Sequence, residues 1–303
     1  MRVRVPAKIN LHLGVGPARD DGFHELETVF HAVSLFDDVT AAHGDGLSLT
    51  IEGEGAGELP TGDDNLAIRA ARLLAEYAGV PADAALRLRK GIPVAGGMAG
   101  GSADAAATLV ACDALWSTAI PREELHELAG SLGSDVPFSL AGGTALGTGR
   151  GELLSPVLAP RRRHWVIAVA DGGLATPEVY GELDRLRALR LGSPVAAGSP
   201  ETLVGALRAE DPGVLGDVLA NDLQPAALSL RPSLRQTLAA GIEEGALGGI
   251  VSGSGPTCVF LAADADDAVA IAAALAGRGV CRTVRIAYGP VPGARIVTDA
   301  ETE

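Results

Sequence analysis

The sequence predicts an α+β protein of two domains. Its 303 residues are long enough to form two separate hydrophobic cores. Strand patterns and helix patterns occur in both halves. The C-terminal half reads as strand, helices, strand, helix, strand, an order typical of a ferredoxin-type α+β sandwich. We place the domain boundary between Pro156 and Pro160, with domains at residues 1–157 and 158–303.

The composition limits the classes of partner that the protein can have. The chain is 47% hydrophobic but only 3% aromatic, so its cores must be built from Ala, Val, Leu and Ile. It contains 40 glycines and 18 prolines, a share below that of low-complexity chains, which indicates an ordered globular protein. The net charge of −14 repels polyanions. We therefore expect no nucleic acid and no membrane as partner, and any phosphorylated ligand must be held by local groups.

The cysteines and the short apolar runs predict a cytoplasmic protein. Cys112, Cys258 and Cys281 are odd in number, far apart and without metal-ligand spacing, so we expect small core residues in a reducing compartment. The N-terminus has no apolar signal core. The longest apolar run, residues 268–276, is about half the length that crosses a bilayer.

The N-terminal half begins with strands and continues with a helix and a further strand. Each assignment depends on hydrophobic periodicity and on the residues that begin or end an element. The predicted elements are one or two strands over 2–16, strands over 33–49 with turns at Asp37-Asp38 and 44–46, a helix over 66–77 capped by Asp63-Asp64-Asn65, and a strand over 85–89.

Lysine is rare in this chain, because only Lys8 and Lys90 among the 24 basic residues are lysines. In an arginine-rich chain, a lysine indicates a position that needs a compact charge or a removable proton. Lys90 precedes a glycine-rich segment. Lys8 lies on the first strand, where the period of two places Lys8, Asn10 and His12 on one face. That face is either a binding surface or an ordinary solvated strand face.

Residues 92–108 form a glycine-rich segment that leads into a helix. Its four glycines leave the backbone N–H groups open to a ligand. They are Gly96, Gly97, Gly100 and Gly101. The run 103–116 reads as a buried helix with Ser102 or Asp104 near its cap. Such a loop offers unpaired N–H donors and the positive end of the helix dipole to an anion, most often a phosphate.

Three other structures contain glycine-rich segments of this kind. A plain strand-to-helix turn is possible in a chain so rich in glycine. The Walker A loop requires a lysine after its second glycine, and none is present here. The dinucleotide fingerprint belongs to the first strand of a βαβ unit, whereas this segment lies a third of the way along the chain. We therefore expect a phosphate loop of another class of nucleotide enzyme.

Asp135 follows a predicted helix over 122–132 and precedes Pro137. An aspartate beside a proline is commonly an ordinary turn residue. Its neighbours are apolar, however, and a carboxylate in such surroundings is costly without a cationic partner. Lys8 is the candidate partner.

The C-terminal half contains a second segment rich in glycine and serine, at residues 248–260, which leads into a strand. Arg161-Arg162-Arg163-His164, near the domain boundary, reads as a solvated linker. The other predicted elements are a strand over 165–170, a helix over 177–191, a loop over 195–200, helices through 240 with breaks at Pro212, Pro225 and Pro232, a helix over 266–276 and a strand over 283–287.

Five motifs stand out along the chain. They are Pro-Ala-Lys-Ile-Asn-Leu at 6–11, Asp-Gly-Phe-His-Glu-Leu at 21–26, the segment 92–108, Gly-Ser-Asp-Val-Pro-Phe at 133–138 and Ser-Gly-Ser-Gly-Pro-Thr at 252–257. In this order and spacing they resemble the GHMP kinase superfamily. The resemblance covers essentially the whole chain, and the combination is far more specific than any single motif.

The resemblance implies an N-terminal α/β domain similar to ribosomal protein S5 and a ferredoxin-like C-terminal domain. It also implies ATP-dependent phosphorylation of the tertiary 2-hydroxyl of a methylerythritol carried on CDP, with ATP as co-substrate and Mg²⁺. By motif position, Lys8 and Asp135 are the expected catalytic pair, and Ser102 is the expected Mg²⁺ ligand. The expected ATP-phosphate loop consists of Pro93, Val94, Ala95, Gly96, Gly97, Met98, Ala99, Gly100, Gly101, Ser102 and Ala103.

The same resemblance assigns Asn10 and His24 to the substrate, with His24 against the cytosine and Phe23 stacked on it. Many relatives carry tyrosine in place of Phe23, so stacking is kept but a hydroxyl contact is lost. Ala95 and Ala99 stand where glycines are common. By residue chemistry alone, Phe23 and His24 could also be a core aromatic and a surface histidine.

The chemistry of these residues agrees with the assignment. A tertiary alcohol is a weak acid and needs a base during attack, and a carboxylate near an ammonium can accept that proton. Lys8 is expected to favour the ionised carboxylate and to offset charge on the transferred phosphoryl group. Two alternatives remain: a homoserine or mevalonate kinase of the same superfamily, which Phe23-His24 argues against, and a non-catalytic nucleotide-binding module, which the Lys8–Asp135 pair argues against.

Overall fold

The computed structural model describes residues 1–19, 22–94, 96–189 and 198–298. The strands, in chain order, are β1 (Arg2–Ala18), β2 (His24–Ala42), β3 (Leu47–Gly53), β4 (Ala84–Lys90), β5 (Thr144–Thr148), β6 (Leu153–Pro156), β7 (Arg163–Val169), β8 (Ala220–Asn221), β9 (Gly248–Val251), β10 (Cys258–Ala262), β11 (Thr283–Gly289) and β12 (Arg295–Ile296).

The helices follow the same order along the chain. They are α1 (Leu66–Ala78), α2 (Gly100–Trp116), α3 (Arg122–Leu132), α4 (Val136–Ala141), α5 (Thr176–Ala188), α6 (Pro200–Ala206), α7 (Gly213–Gly216), α8 (Gln224–Leu230), α9 (Ser233–Glu243) and α10 (Ala265–Arg278), with a 3₁₀ turn at Ala56–Glu58.

The larger sheet forms around β1 and β2, which pair antiparallel along most of their length. Its order is β12-β1-β2-β4-β3, with β5 and β6 extending from β2 and β8 pairing with β1. Alternate apolar residues of these strands pack against α1 and α2 to form the larger core. As predicted, α1 begins at an Asn65 cap that accepts a hydrogen bond from the Ala67 N–H, and it ends at Gly79 in the left-handed region.

The smaller sheet has the order β11-β7-β10-β9, and all its pairs are antiparallel. By chain order these are the fourth, first, third and second strands of this sheet, with α9 and α10 packed against them. This is the ferredoxin-like arrangement that the sequence predicts. The fold is therefore a mixed α/β fold built on two sheets, with helices packed against each of them.

The predicted turn at Asp37-Asp38 is wrong, because β2 runs through both residues. Successive residues of a strand point to opposite faces, and each carboxylate finds a cation on its own face. Asp37 pairs with Lys90 at 2.5 Å, and Asp38 pairs with Arg2 and Arg4 at 2.7 and 2.9 Å. Neutralisation by these cations lets two adjacent aspartates remain inside a strand.

The prediction that His12 shares a face with Lys8 and Asn10 is also wrong. The pairing of β1 with β2 shifts register between Asn10 and His12. Such a bulge interrupts the alternation of side chains. Leu13 therefore lines the cleft beside Lys8 and Asn10, whereas His12 is buried elsewhere and burial lowers its pKa.

Helix α2 begins earlier than predicted, and neither Ser102 nor Asp104 caps it. Its N-cap is Ala99, with φ +58°, which places an alanine in the left-handed region that favours glycine. Asp104 is buried and pairs with Lys90 instead.

Residues 161–164 do not form a wholly solvated linker. Arg163 is the first residue of β7, is buried and donates to the Ala209 carbonyl. The predictions at Asp20-Asp21, at the end of the 177–191 helix and for residues 195–197 of the loop 195–200 fall outside the described residues. Of the helices in the described ranges, none has the length and apolar character of a membrane span.

Candidate active site

A cleft of about 930 Å³ lies between residues of the N-terminal and C-terminal halves. Its lining comes from β1, β2, the glycine-rich loop, the α3–α4 junction, α5 and the second glycine/serine loop. A volume of this size is typical of sites for small molecules of nucleotide size. All five of the predicted catalytic and substrate-binding residues line it, namely Lys8, Asn10, Phe23, His24 and Asp135.

The Lys8 ammonium is held in the cleft by neighbours on β1 and β2. Its Nζ donates to Asn10 Oδ1 at 2.8 Å, and Asn10 Nδ2 donates to Thr28 Oγ1 at 2.8 Å. Nζ also lies 5.3 Å from the ring centroid of Phe30, a cation–π distance. Only 8% of the Lys8 side chain is exposed. The charge is therefore fixed in a site with little water, where it acts strongly on nearby groups.

Asp135 reaches the same part of the cleft from the start of α4. It is the N-cap residue of that helix, but its side chain makes no capping hydrogen bond. Its Oδ2 lies 3.5 Å from Lys8 Nζ, and 30% of the side chain is exposed. The structure thus brings Lys8 and Asp135 together with the carboxylate open to a ligand.

The glycine-rich loop runs from β4 to α2 and passes beside Lys8. The Lys8 N–H donates to the Met98 carbonyl at 3.3 Å, and Gly97 and Ala99 line the cleft. The N–H groups in the first turn of α2 have no acceptor within the helix. Ser102, the third residue of α2, is half-buried, and Ala95 lies outside the described residues. The loop can therefore present backbone donors to an anion beside the Lys8–Asp135 pair.

A buried ion cluster fixes both ends of this loop. Lys90 Nζ lies 2.5 Å from Asp37 Oδ2 and 2.5 Å from Asp104 Oδ2. Asp37 Oδ1 accepts hydrogen bonds from the N–H groups of Gly91 and Ile92 at 2.7 and 2.9 Å. Lys90 and Asp37 thus hold the start of the loop, and Asp104 ties it to α2. Lys90, the second lysine of the chain, is therefore a compact buried charge that holds the glycine-rich loop in place.

The cluster carries two carboxylates and one ammonium, so its charges do not balance. Burial raises the pKa of Asp104 to about 8, with repulsion from Asp37 adding to this effect and attraction to Lys90 opposing it. Burial also lowers the pKa of Lys90, but attraction to the two carboxylates outweighs burial and the net shift is upward. Lys90 therefore remains charged, and Asp104 keeps its proton to a higher pH than an ordinary aspartate does.

The second glycine/serine loop packs directly on the first one. A Cβ added at Gly97 would lie 2.8 Å from the Ser252 carbonyl oxygen and 2.9 Å from that of Gly255. One added at Gly253 would lie 3.2 Å from Asn10 Oδ1. The two loops therefore touch without room for side chains, and the motif at 252–257 forms a wall of the cleft beside Lys8.

We expect Gly97→Ala to weaken the binding of a phosphate-bearing ligand by about tenfold or more and to lower the free energy of unfolding by about 1–3 kcal/mol. Gly97 has φ +69°, and its Cβ would meet backbone atoms that cannot rotate away. A binding titration and denaturant unfolding measure the two effects. Gly62→Ala is the matched control, because a Cβ at Gly62 meets nothing within 4 Å. Equal behaviour of the two variants would contradict the packing of the loops.

Aromatic and polar side chains line the part of the cleft near His24. The His24 ring centroid lies 5.1 Å from that of Tyr180, and His24 Nε2 lies 3.0 Å from Asp184 Oδ1. Phe23 is 52% exposed, and the guanidinium carbon of Arg150 lies 5.2 Å from its ring centroid. This part of the cleft can receive a flat ring between aromatic side chains and offer it polar partners.

Helix α5 supplies cleft residues that the sequence analysis did not identify: Thr176, Tyr180 and Asp184. Burial raises the pKa of Tyr180 to about 12, and repulsion from Asp135 adds to the shift, so its hydroxyl stays protonated. An amphipathic helix has the same pattern whether its polar face meets solvent or a cleft. The i,i+4 spacing of Tyr180 and Asp184 is the one local signal, because it puts both on one face.

Two family models match the chain. The model described as GHMP kinases N terminal domain matches residues 65–143, and the model described as GHMP kinases C terminal matches residues 203–281. The first match includes the glycine-rich loop and Asp135, and the second includes the loop at 252–257.

Named relatives are similar over nearly the whole chain. The chain is 66% identical to a 4-diphosphocytidyl-2-C-methyl-D-erythritol kinase from Salinispora tropica, over 98% of this chain and 94% of that relative. It is 60% identical to a kinase of the same name from Rhodococcus jostii, over 98% and 95%.

Solved structures are also similar to this chain over nearly its whole length. A crystal structure of 4-(cytidine 5'-diphospho)-2C-methyl-D-erythritol kinase has a TM-score of 0.77 at 35% identity, covering 95% of this chain and 98% of that one. A homoserine kinase structure from Cytophaga hutchinsonii also has a TM-score of 0.77, at 22% identity, over 98% and 97% of the two chains. At that identity the second likeness shows a shared fold alone.

Proposed function

The chain belongs to the GHMP kinases and, within them, to the 4-diphosphocytidyl-2-C-methyl-D-erythritol kinases, and from this membership we propose that it transfers the γ-phosphoryl group of ATP to the 2-hydroxyl of 4-diphosphocytidyl-2-C-methyl-D-erythritol. The products are the 2-phosphate and ADP, in non-mevalonate isoprenoid precursor biosynthesis. The observation that carries this proposal is the Lys8–Asp135 pair, 3.5 Å apart beside a glycine-rich loop.

In this proposal Asp135 receives the proton of the attacking hydroxyl. The carboxylate is exposed to the cleft and makes no capping hydrogen bond, so an acceptor oxygen is available. Lys8, held by Asn10, faces both the carboxylate and the phosphoryl group in transit and offsets the negative charge that develops there. Proton removal and charge neutralisation are the two demands of attack by a weakly acidic alcohol.

The glycine-rich loop holds the phosphates of ATP through its backbone N–H groups and the N-terminus of α2. Mg²⁺ prefers oxygen ligands, and the Ser102 hydroxyl in the first turn of α2 is an oxygen of this kind. We assign Ser102 to the Mg²⁺ that accompanies ATP. The ion supplies charge neutralisation, while the chain supplies the positions of the phosphates.

The cytosine of the substrate lies against His24 and Phe23, with Asn10 facing the methylerythritol. Tyr180, 5.1 Å from the His24 ring, supports a ring-binding site there. We also propose that residues 1–157 and 158–303 are the two domains, because the family matches fall on either side of residue 157. Free Cys112, Cys258 and Cys281 support a cytoplasmic location.

A substrate panel tests this function. Purified protein with Mg-ATP is offered the CDP-linked methylerythritol, mevalonate or homoserine in turn, and ADP release is measured. We expect turnover with the CDP-linked compound only. ADP release with mevalonate or homoserine alone would assign the chain to another small-alcohol kinase. ATP binding without turnover of any acceptor would make it a nucleotide-binding module.

A further inference from the structure

Helix α5 is fastened to the hairpin of β1 and β2 next to His24. Arg187 donates from Nη1 to the Gly16 carbonyl at 2.9 Å and from Nη2 to the Val15 carbonyl at 2.6 Å. Asp184 lies about one helical turn before Arg187 on the same helix. Its Oδ1 is 3.0 Å from His24 Nε2. The position of the Asp184 carboxylate relative to the imidazole is therefore set by the docking of α5.

The His24 ring is restricted by its surroundings. Only 6% of its side chain is exposed, against 45% for Asp184. The Tyr180 ring packs against it at 5.1 Å and an interplanar angle of 36°. Within the described part of the chain, His24 Nδ1 makes no hydrogen bond. It also keeps some access to solvent, since it is not among the fully buried polar atoms that lack a partner. Nε2 thus faces an acceptor-only carboxylate, while Nδ1 is left for a ligand.

The charge of Asp184 decides which nitrogen of a neutral imidazole carries the proton. An ionised carboxylate only accepts hydrogen bonds, so the favourable tautomer has its proton on Nε2. Nδ1 is then an acceptor. Cytosine carries an exocyclic amino group that donates, whereas uracil has a carbonyl oxygen at the same ring position. An acceptor at Nδ1 can therefore accept a hydrogen bond from the amino group of cytosine, but it repels the carbonyl oxygen of uracil.

We propose that Asp184 is a positioning residue that holds His24 in the tautomer protonated on Nε2, and that the enzyme thereby selects a cytidine-linked over a uridine-linked acceptor. This inference rests on the proposed function, since it concerns the base of the same substrate. Asp184 acts through His24, and the reacting hydroxyl and phosphoryl groups lie elsewhere in the cleft, near Lys8 and Asp135. The effect is therefore on the acceptor substrate and not on ATP.

The test measures base preference and the tautomer separately. The ratio of kcat/KM for CDP-methylerythritol to that for UDP-methylerythritol is determined for the unaltered protein and for Asp184→Ala. We expect the variant to lower this ratio by about fivefold or more, the effect of roughly one hydrogen bond, with KM for ATP unchanged. Nitrogen-15 NMR of the imidazole, assigned with a His24→Gln variant, should show the proton on Nε2 in the unaltered protein and a mixture of tautomers in Asp184→Ala.

Two further variants separate a specific role from a structural one. Asp184→Asn keeps the shape of the side chain but can present either its oxygen or its NH2 group to Nε2, so it no longer fixes the tautomer; we expect a lowered ratio and a mixture of tautomers, whereas a purely structural role would leave both unchanged. Glu178→Gln removes a charge from an exposed position on the same helix and should change neither. An unchanged ratio and tautomer in Asp184→Ala would overturn the inference. Failure of the unaltered protein to use either nucleotide-linked acceptor would instead overturn the proposed function, and the NMR signal of the free protein would still report on the Asp184–His24 pair.

Discussion

Asp135→Asn is expected to lower kcat by at least about a hundredfold, because general-base groups typically contribute a factor of this size or more. Asparagine has the same shape but cannot take a proton from the hydroxyl. The Asp135 side chain makes no capping hydrogen bond, so the exchange removes no support from α4. KM for ATP should stay within about threefold, since the phosphates are assigned to the glycine-rich loop. ADP release under saturating substrates measures the change.

Lys8→Met, alone and combined with Asp135→Asn, tests whether the two residues act as a unit. Lys8 and Asp135 are 3.5 Å apart, and residues that act as a unit give strongly non-additive losses. We therefore expect the double variant to be no more than about tenfold slower than the slower single variant. Asp217→Asn, at an exposed position outside the cleft, is the isosteric control. Unchanged turnover in Asp135→Asn, or losses that simply multiply, would contradict a catalytic pair.

The sequence predicted those parts of the fold whose signals are local. The Asn65 cap and the Gly79 stop define α1, and the order of strands and helices in the C-terminal half predicts the ferredoxin-type arrangement of the smaller sheet. The interruption at His12 was not predictable in this way. A bulge depends on how β1 pairs with a partner strand, and the alternation of apolar residues along β1 continues almost unchanged through it.

The residues of the candidate site likewise differ in whether a local sequence signal identifies them. Lys8 and Asp135 carry a signal in the sequence, because one is a rare lysine and the other a carboxylate among apolar neighbours. Tyr180 and Asp184 carry little, since their role depends on the docking of α5 against the β1–β2 hairpin. The sequence predicts a turn at Asp37 because its cationic partner, Lys90, lies 53 positions away in the chain. A local sequence pattern does not identify partners that are distant in the chain.

Lys90→Met is expected to lower the free energy of unfolding by about 3–5 kcal/mol, the usual cost of removing one partner from a buried ion pair. The side chains of Lys90 and Asp37 are 2% and 0% exposed, so water cannot replace the lost ammonium. Methionine fills a similar volume, which limits the loss from packing. Denaturant unfolding measures the change. Arg72→Met breaks the Arg72–Asp63 pair, which is exposed to solvent, and should leave the free energy of unfolding almost unchanged.

Asp104→Asn, unlike Lys90→Met, should not lower the free energy of unfolding near pH 8, and its effect on that free energy depends on pH. The folded protein raises the pKa of Asp104 from its ordinary 3.8 to about 8, so between these values it holds a proton that the unfolded chain has lost. Linkage then makes the free energy of unfolding fall as pH rises through this window, by up to about 1.4 kcal/mol per pH unit. Asparagine does not titrate, so Asp104→Asn should flatten the profile between about pH 4 and 8, a range set by those two pKa values.

The comparison of the two variants separates the charge of the cluster from its packing. Lys90→Met leaves the Asp37 carboxylate and the Asp104 carboxyl group buried without a cation, whereas Asp104→Asn leaves one carboxylate paired with one ammonium. If charge balance dominates, Asp104→Asn is at least as stable as the unaltered protein near pH 8, while Lys90→Met is least stable there. If both variants lose stability equally and with the same pH slope, Asp104 is ionised in the fold and the cluster holds the loop through packing alone.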